Sequence, residues 1–410
     1  YNFFDKPELI TIAPPPGGTG GGTIRYIYAA GGGKMQKIVT ETPAPSNGNQ
    51  QRVITTTYIG AYVYEQITIA GTPQPEALQM IQHGEGRIRI ITPYINSADP
   101  ANVLSGGIDI TGGKQGVFDY YIKDNLGNVR ATITEEINKA AGVCSMEDAN
   151  ATIKQNEEAV FGNPGANNEV NTTRVPVPAG WASNQPPVNS NQKVSKLQAT
   201  GGVVKVGHNA LLKVMAGDKL RAKVDYFYQT DPGAGSGNTT ATINALLGSF
   251  SSALISGRGA AVAHGNEGAI TSNLGANPGL ADMFNNPPAG GNPNAPRAYL
   301  NFVREVSGFK RVSQAGDGAA PIVTDEIKAR KNGYVYVYLS NESGEPVYFD
   351  NFSVSHERGR LIAEDHFYAY GLKITSISSK SVSSSLNTKM PHYGYQGSFS
   401  EEVIEFEVNY

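Results

Sequence analysis

The residues most capable of chemistry are few and scattered along this 410-residue chain. Glu364-Asp365-His366 is the tightest titratable group, an acid beside a base. Neighbours on a strand point to opposite faces, however, so a turn or surface role competes with an acid–base role. Ser307-Gly308-Phe309-Lys310 matches SxxK, but neither SDN nor KTG accompanies it, and two fixed letters recur by chance. The histidines at 83, 208, 264, 356, 366 and 392 show no ligand spacing, and the lone Cys144 has no histidine near it. Tyr334, Tyr336 and Tyr338 alternate as a sugar-stacking platform would, or as tyrosines packed across a sheet. Asp350, in Phe349-Asp350-Asn351-Phe352, is a candidate calcium ligand without identifiable partners.

Complete signatures are missing. The phosphate loop GxxxxGK[ST], the HExxH zinc helix, the GxSxG elbow and the EF-hand spacing do not occur. The glycines at 17–22 and 31–33 never complete GxGxxG, and no helical pattern opens behind them. No catalytic, cofactor-binding or metal-ligating residue is therefore assigned, and the chain is expected not to be an enzyme.

Composition narrows the class. With 33 Lys+Arg against 36 Asp+Glu the net charge is -3, which gives no electrostatic footprint for nucleic acid or anionic lipid. No run approaches the ~18 apolar residues of a membrane span, so no membrane insertion is expected. The 48 Gly, 24 Pro and 21 Tyr beside one Trp favour short strands and tight turns, and 410 residues suggest two or three units. Tyr1-Asn2-Phe3-Phe4-Asp5 has neither an initiator Met nor the plan of a signal peptide, as expected of an excised or processed fragment.

Segment 1–139 reads as strands punctuated by glycine loops. Ile24–Tyr28 and Lys34–Val39 alternate at period two around Gly31–Gly33, which predicts a hairpin with Tyr26 and Tyr28 on one face. Thr55–Glu65 predicts one strand kinked or bulged at Gly60, and strands follow at Arg87–Thr92 and Phe118–Lys123. Segment 140–199, rich in Asn, Pro, Gly and Ala, is expected as a loop-rich linker.

Within 200–356, Leu211–Met215 and Lys219–Tyr228 around Ala216-Gly217-Asp218 predict a β-hairpin. Tyr334–Asn341 and Val347–Val354 flank the turn Ser343–Pro346 and complete a two-sheet sandwich. Ile243, Leu246, Leu247, Phe250 and Leu254 at helical spacing, and Ala298–Val303, predict short helical excursions.

A longer pattern then emerges. Phe118–Arg130, with Tyr120, Asp124 and Leu126-Gly127-Asn128-Val129-Arg130 in register, resembles the YxxxDxLGNVR signature of RHS/YD-repeat core proteins of the Bacteroidota-type polymorphic-toxin and cell-surface family. Arg25–Tyr28 with Lys34-Met35 resembles a YD repeat. Tyr58–Glu65 and His83–Ile88 resemble the segments that precede LGNVR, Glu364–Leu372 the family's YYPFGL element, and Tyr393–Gly397 the tyrosine–glycine element after it. About 230 residues separate two elements that are nearly adjacent in shorter members, which implies an inserted domain. Ala29 stands where a YD repeat has Asp, and Ala369-Tyr370 replaces Pro-Phe. The chain stops before the family's YDxxIGRW stretch, so the terminal core, any autoproteolytic site and any toxin are expected to lie outside it.

The expected fold is mainly β: RHS/YD-repeat β-shell segments at 1–139 and 357–410, interrupted by a jelly-roll-like β-sandwich at 200–356 that resembles carbohydrate-binding modules. The resemblance implies a secreted, non-catalytic structural protein at the bacterial cell surface or outside it, whose shell encloses or displays a C-terminal effector. Its implied partners are the rest of its own polypeptide, that effector and the secretion machinery, of the type IX kind. The alternative is a carbohydrate-binding or adhesion module that takes a surface glycan. The Gly-Asn pair at 127–128 should form a tight hairpin turn with a positive φ at Gly127.

Overall fold

A computed structural model describes residues 1–3, 5–14, 18–95, 102–161, 173–181, 193–199, 206–231, 292–303, 308–369, 371–381, 392–393 and 399–400. The chain is mainly β with antiparallel sheets, and it divides into residues 1–138 with 360–410 and residues 139–359. Tyr395 and the helical pattern at 243–254 lie outside the described residues.

The first unit is built on an antiparallel meander. Strands Gly22–Tyr28, Lys34–Glu41, Arg52–Ile59, Tyr62–Ile69, Ala77–His83, Gly86–Ile91, Lys114–Lys123 and Val129–Thr134 pair in chain order. Ile24, Val39, Ile54 and Ile67 lie directly opposite one another on four successive strands, so period-two alternation stacks into one apolar row. Tyr26 and Tyr28 share a face with rings 6.3 Å apart, as their spacing predicts. Gly60 neither kinks nor bulges a strand. With φ at 60° it opens a two-residue reversal, because Ile59 pairs with Tyr62.

The hairpin after Lys123 is set by Asp124. Its Oδ1 accepts from the backbone N–H of Leu126 (3.0 Å) and Asn128 (2.9 Å), and its Oδ2 accepts from Asn128 Nδ2 at 2.8 Å. Gly127 then donates to the Asp124 carbonyl with φ at 82°. The reversal is longer than the expected Gly-Asn turn, since Lys123 pairs with Val129. Positive φ at Gly127 is as expected.

In the second unit the long strand Val347–Glu357 is the hub. It pairs with Lys193–Leu197 and with the 139–144 part of Ile137–Cys144 along one edge, and with Lys219–Phe227 along the other. A second sheet orders Val206–Val214, Gly333–Asn341, Ala298–Val303 and Gly308–Arg311. Leu220, Ala222, Val224, Tyr226, Phe349 and Phe352 share one core with Val335, Val337, Leu339 and Leu300 of the other sheet.

Three expectations are corrected. The 211–228 segment is no hairpin: Val206–Val214 and Lys219–Phe227 lie in different sheets, and so do Gly333–Asn341 and Val347–Glu357. The turns between them are arches. Gly333–Asn341 is buried on both faces, which a hairpin with one wet face cannot provide. Ala298–Val303 is a strand, because six residues are too short for a stable helix while both edges find partners.

Segment 140–199 is not merely loop. It supplies strands, a helix at Ala151–Phe161 capped by Asn150 Oδ1, and core residues Trp181 and Val194. Phe161 packs on Phe352 with rings 5.3 Å apart, over Gly142, where a Cβ would meet the Phe161 ring at 3.1 Å.

A side chain at Gly127 would meet open space, so substitution there costs backbone strain alone. Gly127→Val is expected to lower stability by roughly 1–3 kcal/mol in urea denaturation, and Gly127→Asn by less, because Asn tolerates the left-handed region. Equal losses for both would show that backbone freedom is not what the position requires.

Candidate functional site

The residues of the LGNVR-like and 364–372 elements meet in the first unit. Val129–Thr134 pairs antiparallel with Leu361–Glu364, Ala131 opposite Glu364 and Thr132 opposite Ala363. Asp365 N–H donates to the Arg130 carbonyl and Thr134 N–H to the Arg360 carbonyl, each at 2.8 Å. Arg130 lies 3.0 Å from His366 Nδ1, and His366 Nε2 lies 3.0 Å from Glu364 Oε1. With a neutral imidazole one tautomer serves both contacts: Nδ1 accepts from Arg130 and Nε2–H donates to Glu364.

The predicted Asp365–His366 pair is thus divided. Glu364 and His366, two residues apart, interact, whereas buried Asp365 turns to Lys373. The chain reverses between them at Gly371, whose φ is 86° and whose N–H donates to the Tyr368 carbonyl.

Behind this seam lies a buried ion network absent from the expectations. Asp119, fully buried, receives Arg89 through both oxygens at 2.6 and 3.0 Å and Arg87 Nε at 2.8 Å. Arg89 Nη2 also reaches Glu136 Oε2 at 2.6 Å and Thr134 Oγ1 at 3.1 Å. Burial pushes the Asp119 carboxyl up, but the hydrogen bond and charge of Arg89, with Arg87, outweigh it and hold the group below the carboxylate range. Burial likewise pulls the Arg89 guanidinium down, and Asp119 and Glu136 more than reverse it. Such groups stay charged, so they stabilise structure and exchange no proton near neutrality. The available signal was Arg87 and Arg89 alternating with Ile88 and Ile90, which places two charges on the face that also carries Val117 and Asp119.

The remaining candidates resolve into structure. Tyr336 and Tyr338 stack 5.3 Å apart and are 1% and 0% exposed, so two of the three candidate tyrosines are closed to a sugar, while Tyr334 is half-buried. Asp350 is buried and accepts from Asn351 N–H at 2.8 Å beside a register shift opposite Asp225. Among the described residues, no three His, Cys, Asp or Glu side chains converge as a metal site. Cys144 is buried 3.6 Å from Glu157 Oε2, and burial pushes its thiol up, away from nucleophilic thiolate. Ser307 lies outside the described residues, and Lys310 pairs with Asp325 at 2.7 Å.

Burial moves the Glu342 carboxyl toward neutrality. Glu342, 1% exposed, lies 3.2 Å from Arg297 Nη2 without aligned hydrogen bonds, and burial pushes its carboxyl up to about 7 although Arg297 and Arg311 oppose this.

No protein-family model and no curated protein matches the chain. Among solved structures it is similar to the exo-β-1,3-galactanase of Phanerochaete chrysosporium with galactose, at 7% identity and a TM-score of 0.20, over 85% of this chain and 67% of that one. A variant of that enzyme with β-1,3-galactotriose gives 8% identity and a TM-score of 0.18, over 85% and 69% of the two chains. At those scores neither carries an argument about fold or activity.

Two measurements test this reading. Arg89→Leu leaves Asp119 and Glu136 buried beside an apolar side chain and should cost about 3–5 kcal/mol in urea denaturation. A loss below about 1 kcal/mol would mean that the network is solvated. Because the folded state raises the Glu342 carboxyl from 4.5 to about 7, its stability contribution is present below the unfolded value and is lost as pH rises through about 7. Glu342→Gln should remove about 3 kcal/mol of that pH dependence from the second unit. An unchanged profile would contradict the upward shift of this carboxyl.

Proposed function

We propose that the chain is a non-catalytic structural part of a secreted RHS/YD-repeat protein. Its first unit is a stretch of β-shell that encloses or displays a C-terminal effector, and its second unit is an inserted, jelly-roll-like sandwich. The observation that supports this most is the pairing of Val129–Thr134 with Leu361–Glu364, strands contributed by two family-like elements from either side of the insertion. A shell wall must be continuous in hydrogen bonding to avoid open edges, and this ladder carries the wall past a domain-sized interruption. The consumed carboxylates of Asp119 and Glu136 agree with a wall rather than an active site.

The partners on this reading are the rest of the same polypeptide, the effector and an export apparatus of the type IX kind, with the protein at the bacterial surface or outside the cell. Among the described residues, no helix is long and apolar enough to cross a membrane, which says nothing of β-barrel spans. The glycan-binding alternative keeps only Tyr334 of its three tyrosines, because Tyr336 and Tyr338 are closed to solvent.

Limited proteolysis of the full-length secreted polypeptide, with its C-terminal region tagged, tests the proposal. The tag should survive trypsin until denaturant opens the shell. Release of the tag under native conditions, at the rate of an unfolded tail, would contradict enclosure; display outside the shell would then have to be shown by antibody access to intact cells.

A further inference from the structure

We infer that His366 is a proton-operated latch on the seam between Val129–Thr134 and Leu361–Glu364. The inference concerns this join alone and holds whether or not the first unit is part of a shell. With the ring neutral, the imidazole makes one bond across the seam, accepting from Arg130, and one along its own segment, donating to Glu364. Protonation places a hydrogen on both ring nitrogens. Nδ1 then faces the Arg130 guanidinium as donor against donor and cation against cation, while Nε2 becomes an ion-paired donor to Glu364. Acid therefore exchanges a bond that joins two distant segments for a stronger bond within one of them.

The surrounding charges leave that exchange intact. Glu364 and Arg130 flank the ring with opposite charges, and Arg130 also acts on Asp124, whose carboxyl is held down chiefly by the Asn128 side chain and in part by Arg130. Lys373 is engaged by Asp365, and Lys380 lies opposite Ala363 on the neighbouring strand. On the backbone side, His366 N–H is held by Ser378 Oγ at 3.0 Å, so the imidazole stays seated on its own segment whichever partner it keeps. Imidazole is also the side chain whose ordinary titration falls in the mildly acidic range. Half-buried, His366 is open to protons without local unfolding.

Amide hydrogen exchange reads the latch directly. The Asp365 N–H, bonded across the seam to the Arg130 carbonyl, is the reporter, and the Ile54 N–H in the distant apolar row is the control. After correction for intrinsic exchange, Asp365 protection should fall about tenfold between about pH 7.5 and about pH 5, the loss of one charged hydrogen bond, while Ile54 protection holds. His366→Gln, which can accept and donate but cannot gain a charge, should abolish the fall. Should that variant not fold, Arg130→Gln keeps an amide across the seam without the repelling charge and should shrink the fall. Constant Asp365 protection in the unaltered protein, or an undiminished fall in whichever variant folds, would overturn the inference.

Discussion

The closure of the first unit's sheet across the insertion depends on one hydrogen-bonded ladder between segments far apart in sequence. Bringing residues near 130 and 364 together by closing a flexible loop of about 230 residues would cost about 5 kcal/mol beyond the fixed closure term. The chain avoids most of that cost because the intervening unit carries its own ends to one place. Lys139 and Glu357 are direct partners across an antiparallel pair, so the entry and exit strands of the insertion leave it side by side. Asp218 fixes the exit: its carboxylate accepts from Met215 N–H, Gly359 N–H and His356 Nε2, and a Cβ on Gly359 would collide with Gly217 and Asp218 backbone. An insertion built in this way is a short loop to the sheet that hosts it, and that is why the sheet can ignore its length.

The same logic explains where charge is spent. In the first unit, Arg87, Arg89, Asp119 and Glu136 are satisfied by one another beneath the strands that carry the seam. Removing a single member strands the others in a dry environment, so the network is costly to break one residue at a time. In the second unit the buried polar groups serve the arches instead. Asn341 donates to the Leu197 and Glu345 carbonyls and accepts from Ser343, holding a chain that leaves one sheet for the other. Neither arrangement leaves a base, a nucleophile and an orienting partner together.

How much of this was legible in the sequence follows from how local each signal is. Period-two alternation and glycine loops placed the strands near 24–28, 34–39, 87–92 and 118–123, the shared face of Tyr26 and Tyr28 and the positive φ of Gly127, because each depends on a few neighbouring residues. The reversal at Gly60–Ala61, by contrast, reads in sequence as a bulge within one strand. Strand identity was also legible in 219–228 and 334–354, but strand pairing was not: Ala216-Gly217-Asp218 looks the same whether it reverses the chain within a sheet or carries it between sheets. Asn150 as a helix cap was hidden inside a stretch rich in Asn, and Ala298–Val303 is set by two neighbouring strands rather than by its own composition. The ion network was least legible, since Arg89 and Asp119 find each other only once their strands, and not merely their residues, are adjacent.

The most direct test of the account is excision of the insertion. Residues 139–359 would be replaced by a short flexible linker, joining Asn138 to Arg360, and the product followed by circular dichroism and by amide exchange at Thr134 and Asp365. If the two flanking segments form the seam by themselves, the shortened chain should unfold cooperatively and retain protection at both amides. A chain that is unfolded, or folded with both amides exchanging freely, would contradict the claim that the two flanking segments form one sheet independently of what lies between them.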